Sequence, residues 1–162
     1  MGDDDRSTLR WEPAALWFEQ CQVGMVSTTR GRTVMDADIV NFAGVSGDFN
    51  SLHLDDEVMR SSQFGGRIAH GLLVLSIASG LRAQEGLFAW TLLAFGGIRD
   101  WRFLAPVRPG DTVRVRSEIV ETRPSASGGK GVVVQRVEVL NQRDEAVHAG
   151  EFVSIVRMEP SA

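Results

Sequence analysis

The segment His70-Gly71-Leu72-Leu73-Val74-Leu75-Ser76-Ile77-Ala78-Ser79-Gly80-Leu81 would be apolar on nearly every face of a helix. Such a helix has no charged face to turn toward water, so other structure must enclose it. Running from His70 to about Ala83, it is too short to cross a bilayer, which takes about 20 apolar residues. The rest of the chain therefore has to wrap around it.

The material for wrapping follows Trp90. Thr112 to Glu121 largely alternates apolar with polar residues, the period of a half-buried strand. Gly131 to Leu140 and Val147 to Val156 are rich in valine, isoleucine and phenylalanine, side chains that suit strands. Pro124 to Gly131 reads as the hinge between two of these strands, and Asn141 to Asp144 as a tighter turn. The pattern predicts about four antiparallel strands here and one hairpin around Val23 to Met35.

Between hairpin and central helix, Asp36 reads as the N-cap of a helix through Ile39, Val40, Phe42, Ala43 and Val45, ending near Gly47. Asp55, Asp56 and Glu57 form the acidic first turn of a short helix that ends near Arg60. The fold class expected is α+β, an antiparallel sheet with one long enclosed helix. Met1 to Thr8 is polar and acidic and is expected to fray, leaving residues 9–162 as a single domain.

A net charge of -4 argues against a broad nucleic-acid surface, and no apolar run approaches a membrane span. The start of the chain lacks the basic and apolar blocks of a secretory signal. With Cys21 as the one cysteine, no intrachain disulfide or multi-cysteine metal cage can form, so a cytoplasmic location is expected. The three histidines, His53, His70 and His148, match no zinc spacing, and no metal is expected.

The loop Gly47-Asp48-Phe49-Asn50-Ser51-Leu52-His53 places a carboxylate and an imidazole five residues apart, where a turn can bring both to one volume. Activating water needs such a pair, one group accepting its proton and the other sharing or orienting it. The loop alone also fits a bland role, with Asp48 capping a turn and His53 packing. A third feature lies downstream: the helix opening at Ala69-His70-Gly71 leaves amide donors unpaired, and Gly71 lets an oxygen approach its N–H closely. A thioester carbonyl held there would be polarised toward an enolate. Gly71 equally fits close packing, and His70 is given no proton-transfer role.

The runs Ser46 to His53 and Phe64-Gly65-Gly66-Arg67-Ile68-Ala69-His70-Gly71-Leu72-Leu73 resemble the MaoC-like, R-specific enoyl-CoA hydratases. Arg102 to Asp111 extends the similarity, which runs from about Val23 to Val156. The resemblance implies a hot-dog fold, an antiparallel sheet wrapped around the helix from His70, with two units pairing into a homodimer or dimer-based oligomer. It implies Asp48 and His53 as the catalytic acid–base pair and the Gly71 amide as oxyanion donor, with Gly47, Asn50 and His70 supporting the loop or binding substrate. The implied reaction is hydration of a trans-2-enoyl-CoA to a (3R)-3-hydroxyacyl-CoA, with coenzyme A entering as part of the substrate and no separate cofactor. One departure is Ser51, where the family commonly has proline two positions before the histidine.

Other residues weigh less. His148, between Val147 and Ala149 in a strand, reads as structural. Arg60, Arg67, Arg82, Arg99 and Arg102 could meet coenzyme A phosphates, most of them being surface charges. Gly128-Gly129-Lys130-Gly131 lacks the spacing of a phosphate loop and reads as a hairpin tip. Two other functions fit the same pattern: a non-catalytic acyl-thioester-binding or partner subunit, and a hydratase of a branched or dicarboxylic acyl-CoA whose extra carboxylate meets an arginine.

Overall fold

A computed structural model describes residues 15–160; the frayed segment expected over Met1 to Thr8 lies outside them. A 3-10 turn at Phe18–Gln20 leads into strands β1 (Val26–Thr28) and β2 (Arg32–Thr33), then helices α1 (Asp36–Ser46), α2 (Ser51–Leu54) and α3 (Asp56–Arg60). The long helix α4 (Gly71–Glu85) follows, and four strands complete the chain: β3 (Leu92–Phe103), β4 (Thr112–Pro124), β5 (Lys130–Leu140) and β6 (Ala146–Arg157). The sheet order is β1-β4-β5-β6-β3, every pairing antiparallel, with β2 also on β4. This is the hot-dog fold, with α4 as the filling.

Sequence explains the packing. β4 alternates buried and half-buried residues along its first half, so Val113 and Val115 point toward α4 while Arg114 and Arg116 point away. Val137 and Val139 of β5 and Val147 and Phe152 of β6 join them against Leu73, Val74, Ile77, Ala78 and Leu81 of α4. Each such side chain, fully buried, contributes about 1.5–3 kcal/mol. A second cluster at the other end of the sheet gathers Phe88, Ile119, Val133, Val156 and the buried thiol of Cys21. Desolvation there, followed by the charge of Glu19, pushes that thiol up to about 11.

Three expectations need correction. The hairpin around Val23 to Met35 does not pair with itself: β1 and β2 both lie on β4, Val26 opposite Glu118 and Arg32 opposite Val113. Between them Thr29 keeps contact, its N–H donating to Val115 O and its hydroxyl accepting from Val115 N–H. The stretch is one interrupted edge strand. Second, α4 is not covered on every side; Leu72 is 58% exposed, and Ser76, Ser79 and Gly80 are exposed too, because the sheet wraps one flank only. Third, Asp36 is the first residue of α1 and not its cap; the position before it is Met35, whose N–H is accepted by the Asp38 carboxylate at 2.9 Å.

β3 differs from the other long strands. It pairs with β6 on one side only, with register shifts at three places, and Leu92, Leu93, Phe95, Ile98 and Phe103 along it are all exposed. An apolar edge left open in this way is a surface that another chain can cover.

Candidate active site

The Asp48 loop is built from short polar turns. Helix α1 ends at Gly47, whose φ of 75° lies in the left-handed region glycine tolerates. The Asp48 N–H then donates to Ser46 Oγ at 3.2 Å, the Asn50 N–H to Asp48 Oδ1 at 3.2 Å, and the Leu52 N–H to Asn50 Oδ1 at 2.9 Å. Asn50 is the N-cap of α2, so the turn that shapes the loop also starts the helix carrying His53.

His53 points inward and is only 6% exposed. Its Nδ1 lies 2.8 Å from the carbonyl oxygen of Ile68. A carbonyl can only accept, so Nδ1 carries the proton and Nε2 presents a lone pair in the neutral ring. That Nε2 stands 3.8 Å from Asp48 Oδ2, beyond direct hydrogen-bond range yet close enough for both to hold one water oxygen. The Asp48 side chain is about half exposed, so the pair opens to the surface on the carboxylate side.

His70 backs this pair. It is the N-cap residue of α4 but makes no side-chain cap; instead Nε2 donates to the Asp48 carbonyl at 3.0 Å. Its ring stacks on His53 with centroids 3.6 Å apart and an angle of 26°. The start of α4 is thereby tied to both members of the pair. The next residue, Gly71, lies under the Phe103 ring, where a β-carbon would come within 2.8 Å of the ring carbons. Its N–H, at the first position of α4, has no intrahelical acceptor.

Asp48, His53 and His70 offer ligand atoms within 4.8 Å of one another. Stacked rings, however, direct their in-plane lone pairs side by side, whereas a zinc ion needs them aimed at one point about 2.0–2.1 Å away. The donor set fits a water held between acid and imidazole better than a metal.

The structure thus brings Gly47, Asp48, Asn50, His53, His70 and Gly71 into one neighbourhood and leaves the other candidates outside it. Arg67 bridges Asp36 at 2.9 Å and Asp56 at 2.6 Å, which ties α1 to α3 and raises its own pKa, Asp56 contributing most. Arg60 pairs with Glu57 on the surface, and Arg99 lies 3.8 Å from Glu121. His148 is buried at 2% exposure between the rings of Trp101 and Phe103, with Nδ1 unpartnered, and burial pushes it down to about 4. Two site groups have no sequence signal: the Ile68 carbonyl, because any residue carries one, and Phe103, which is far from Gly71 along the chain. No helix among the described residues is long and apolar enough to cross a membrane.

Comparison with known proteins agrees with this architecture. "Protein MaoC" of Klebsiella aerogenes is 41% identical over 107 residues, which is 66% of this chain and 31% of that much longer protein. The (R)-specific enoyl-CoA hydratase of Aeromonas caviae is 36% identical over 120 residues, covering 72% of this chain and 82% of its own. A solved structure described as a monoamine oxidase regulatory protein from Archaeoglobus fulgius superposes with a TM-score of 0.84 at 40% identity, covering 90% of this chain and 97% of that one. Residues 19–142 match the family described as "MaoC like domain", a family that includes hydratases and dehydratases, and the chain belongs to this MaoC-like dehydratase family.

Proposed function

We propose that the protein catalyses the reversible hydration of a trans-2-enoyl-CoA to a (3R)-3-hydroxyacyl-CoA. The observation that carries this reading is the placement of His53: a buried ring whose Nδ1–H is held by a backbone carbonyl, so that the neutral ring turns its bare Nε2 toward the Asp48 carboxylate. A water between them loses one proton to Nε2 while Asp48 holds the other hydrogen and orients the oxygen. The oxygen bonds to C3 of the enoyl group, the C2–C3 π electrons move onto the thioester oxygen, and the Gly71 N–H holds that oxygen as the enolate. His53 then returns its proton to C2. Nothing is oxidised or reduced overall, so the scheme calls on no redox cofactor, and coenzyme A leaves with the product as it came.

Gly47 and Asn50 hold the loop, and His70 holds Asp48 by its backbone. The R configuration and coenzyme A as carrier follow the Aeromonas relative and the family. The reading also includes a homodimer or dimer-based oligomer in which a second copy covers the open apolar edge of β3; a monomer by light scattering would remove it.

The test is the loss of enoyl-thioester ultraviolet absorbance with crotonyl-CoA and a longer enoyl-CoA. Asp48→Asn and His53→Ala should each slow turnover by about 10²–10⁴-fold, the range for general acid–base groups. Wild type that binds every enoyl-CoA tried and hydrates none would replace the hydratase with a binding subunit of the same fold.

A further inference from the structure

The Asp48 loop is held along its length by one short stretch of chain, Arg67-Ile68-Ala69-His70-Gly71. Ile68 N–H donates to Leu52 O at 3.2 Å, Ile68 O accepts from His53 Nδ1 at 2.8 Å, and His70 Nε2 donates to Asp48 O at 3.0 Å. The stretch is itself fastened at Ala69, whose N–H donates to Val107 O at 2.7 Å. Residues 67–71 therefore act as a splint for residues 48–53.

Arg67 opens the splint, and its side chain is only 17% exposed. The guanidinium has three acceptors, one on each of the helices α1, α2 and α3. Nη2 donates to Asp36 Oδ1 at 2.9 Å, Nε to Asp56 Oδ1 at 2.6 Å, and Nη1 to the carbonyl oxygen of His53 at 3.4 Å. Asp36 and Asp56 are the first residues of α1 and α3. His53 lies in the single turn of α2, where a carbonyl near the end has no partner within its own helix. Three helix ends thus meet at one side chain.

The carboxylates of Asp36 and Asp56 are 64% and 69% exposed, and ion pairs so open to water add little to stability by themselves. Their effect here is geometric. Two carboxylates on different helices fix the orientation of a rigid planar fork, and the third nitrogen of that fork then falls on His53 O. Residues 67 and 68 hold His53 twice, by its carbonyl through the guanidinium and by its ring through Ile68 O. A lysine carries its donors on one nitrogen, which cannot span acceptors that meet three different nitrogens of the arginine.

We infer that Arg67 is a positioning residue of the site: its three-way contact sets the backbone of His53 and, through it, the direction of Nε2 toward Asp48. This rests on the hydratase reading for what Nε2 does, while the placement of the ring is independent of the reaction. The sequence allows Arg67 as a contact for carrier phosphates; in the fold its guanidinium is engaged in supporting the imidazole instead.

Two readouts on the full chain test the inference, one of them free of turnover. The first is the nitrogen-15 spectrum of histidine-labelled protein, assigned with His53→Ala, which reports the tautomer of His53 and the exchange of its Nδ1–H. Wild type should hold the Nδ1–H form. Arg67→Met should mix it with the Nε2–H form or speed its exchange about tenfold, a local opening that leaves amide exchange in β4 and β5 as in wild type. The second is turnover of crotonyl-CoA, where Arg67→Met should lower kcat about 10–100-fold with KM nearly unchanged, the scale of a small misplacement of a reacting group. Arg67→Lys should recover part of that loss. Where Arg67→Met does not fold, the double variant Asp36→Ala, Asp56→Ala keeps the arginine but frees it, and should give the same changes in smaller degree. A His53 signal unmoved in Arg67→Met, or in the double variant where that one does not fold, overturns the proposal. So does a rise in KM with kcat unchanged, which would make Arg67 a phosphate contact. No turnover by any of these proteins, with the tautomer held in wild type and released in Arg67→Met, sinks the hydratase reading and leaves the positioning role standing.

Discussion

The two ends of α4 treat their buried polar groups differently. At the amino end His53 and His70 each give one ring nitrogen to a backbone carbonyl, of Ile68 and Asp48, the rings brace each other at 3.6 Å, and His70 Nδ1 is left without a partner among the described residues. At the carboxyl end the half-buried Arg82 is held by side chains instead, donating to Gln135 and lying over the Phe152 ring. Backbone carbonyls do not change with the substrate, so the amino end is set before anything binds, as reaction geometry requires. On the proposed reading, the backbone contacts of the amino end are what fix the reaction geometry.

Breaking the amino end should have the larger effect. His70→Phe keeps a ring against His53 but removes the donor to the Asp48 carbonyl. The expected result is a fall in kcat of about a hundredfold with KM nearly unchanged, the scale of a 1 Å misplacement. His70→Gln, which can restore an N–H near the position of Nε2, should recover part of it. If KM rises and kcat holds, His70 serves binding and not the placement of Asp48.

The aromatic cluster around His148 is probed by acid. His148 is held neutral by burial, its pKa pushed from 6.5 to about 4. Between those values the unfolded chain binds a proton that the folded chain refuses. Stability is therefore full above pH 6.5 and falls as pH drops toward 4, by up to about 3 kcal/mol. Denaturant unfolding across that range, followed by circular dichroism, should lose part of its pH slope in His148→Leu. A slope that does not move places the acid sensitivity elsewhere.

The smallest effect concerns the loop. Ser51 is the first residue of α2, and Asn50 before it has ψ 140°, a conformation that tolerates a following proline. Ser51→Pro should raise stability by about 0.5 kcal/mol through the unfolded chain and leave activity intact. A drop in stability would mean that the Ser51 N–H or the loop's freedom matters to the amino end.

What could be read in the sequence follows from which signals are local. β4, β5 and β6 are visible as alternation because one side of each faces α4, and the acid–imidazole loop is visible because its members are neighbours along the chain. β3 hides: exposed apolar residues interrupted by Gly96-Gly97 and three register shifts carry no period of two. The expected hairpin fails for a related reason, since two short strands separated by a turn look self-paired until their common partner β4, some 85 residues on, is known. Arg82 was one of five equivalent arginines in sequence. Only the fold shows that Arg60, Arg67 and Arg99 find acids, whereas Arg82 and Arg102 form no ion pair among the described residues.

The buried thiol in the second core acquires a meaning from the chemistry proposed. Thioesters are acyl donors, and any thiolate near one can take the acyl group. Thiolate is the attacking species, and the chain's one cysteine, Cys21, is enclosed and shifted to about 11. On the proposed reading, this enclosure keeps the chain's one thiol from taking the acyl group.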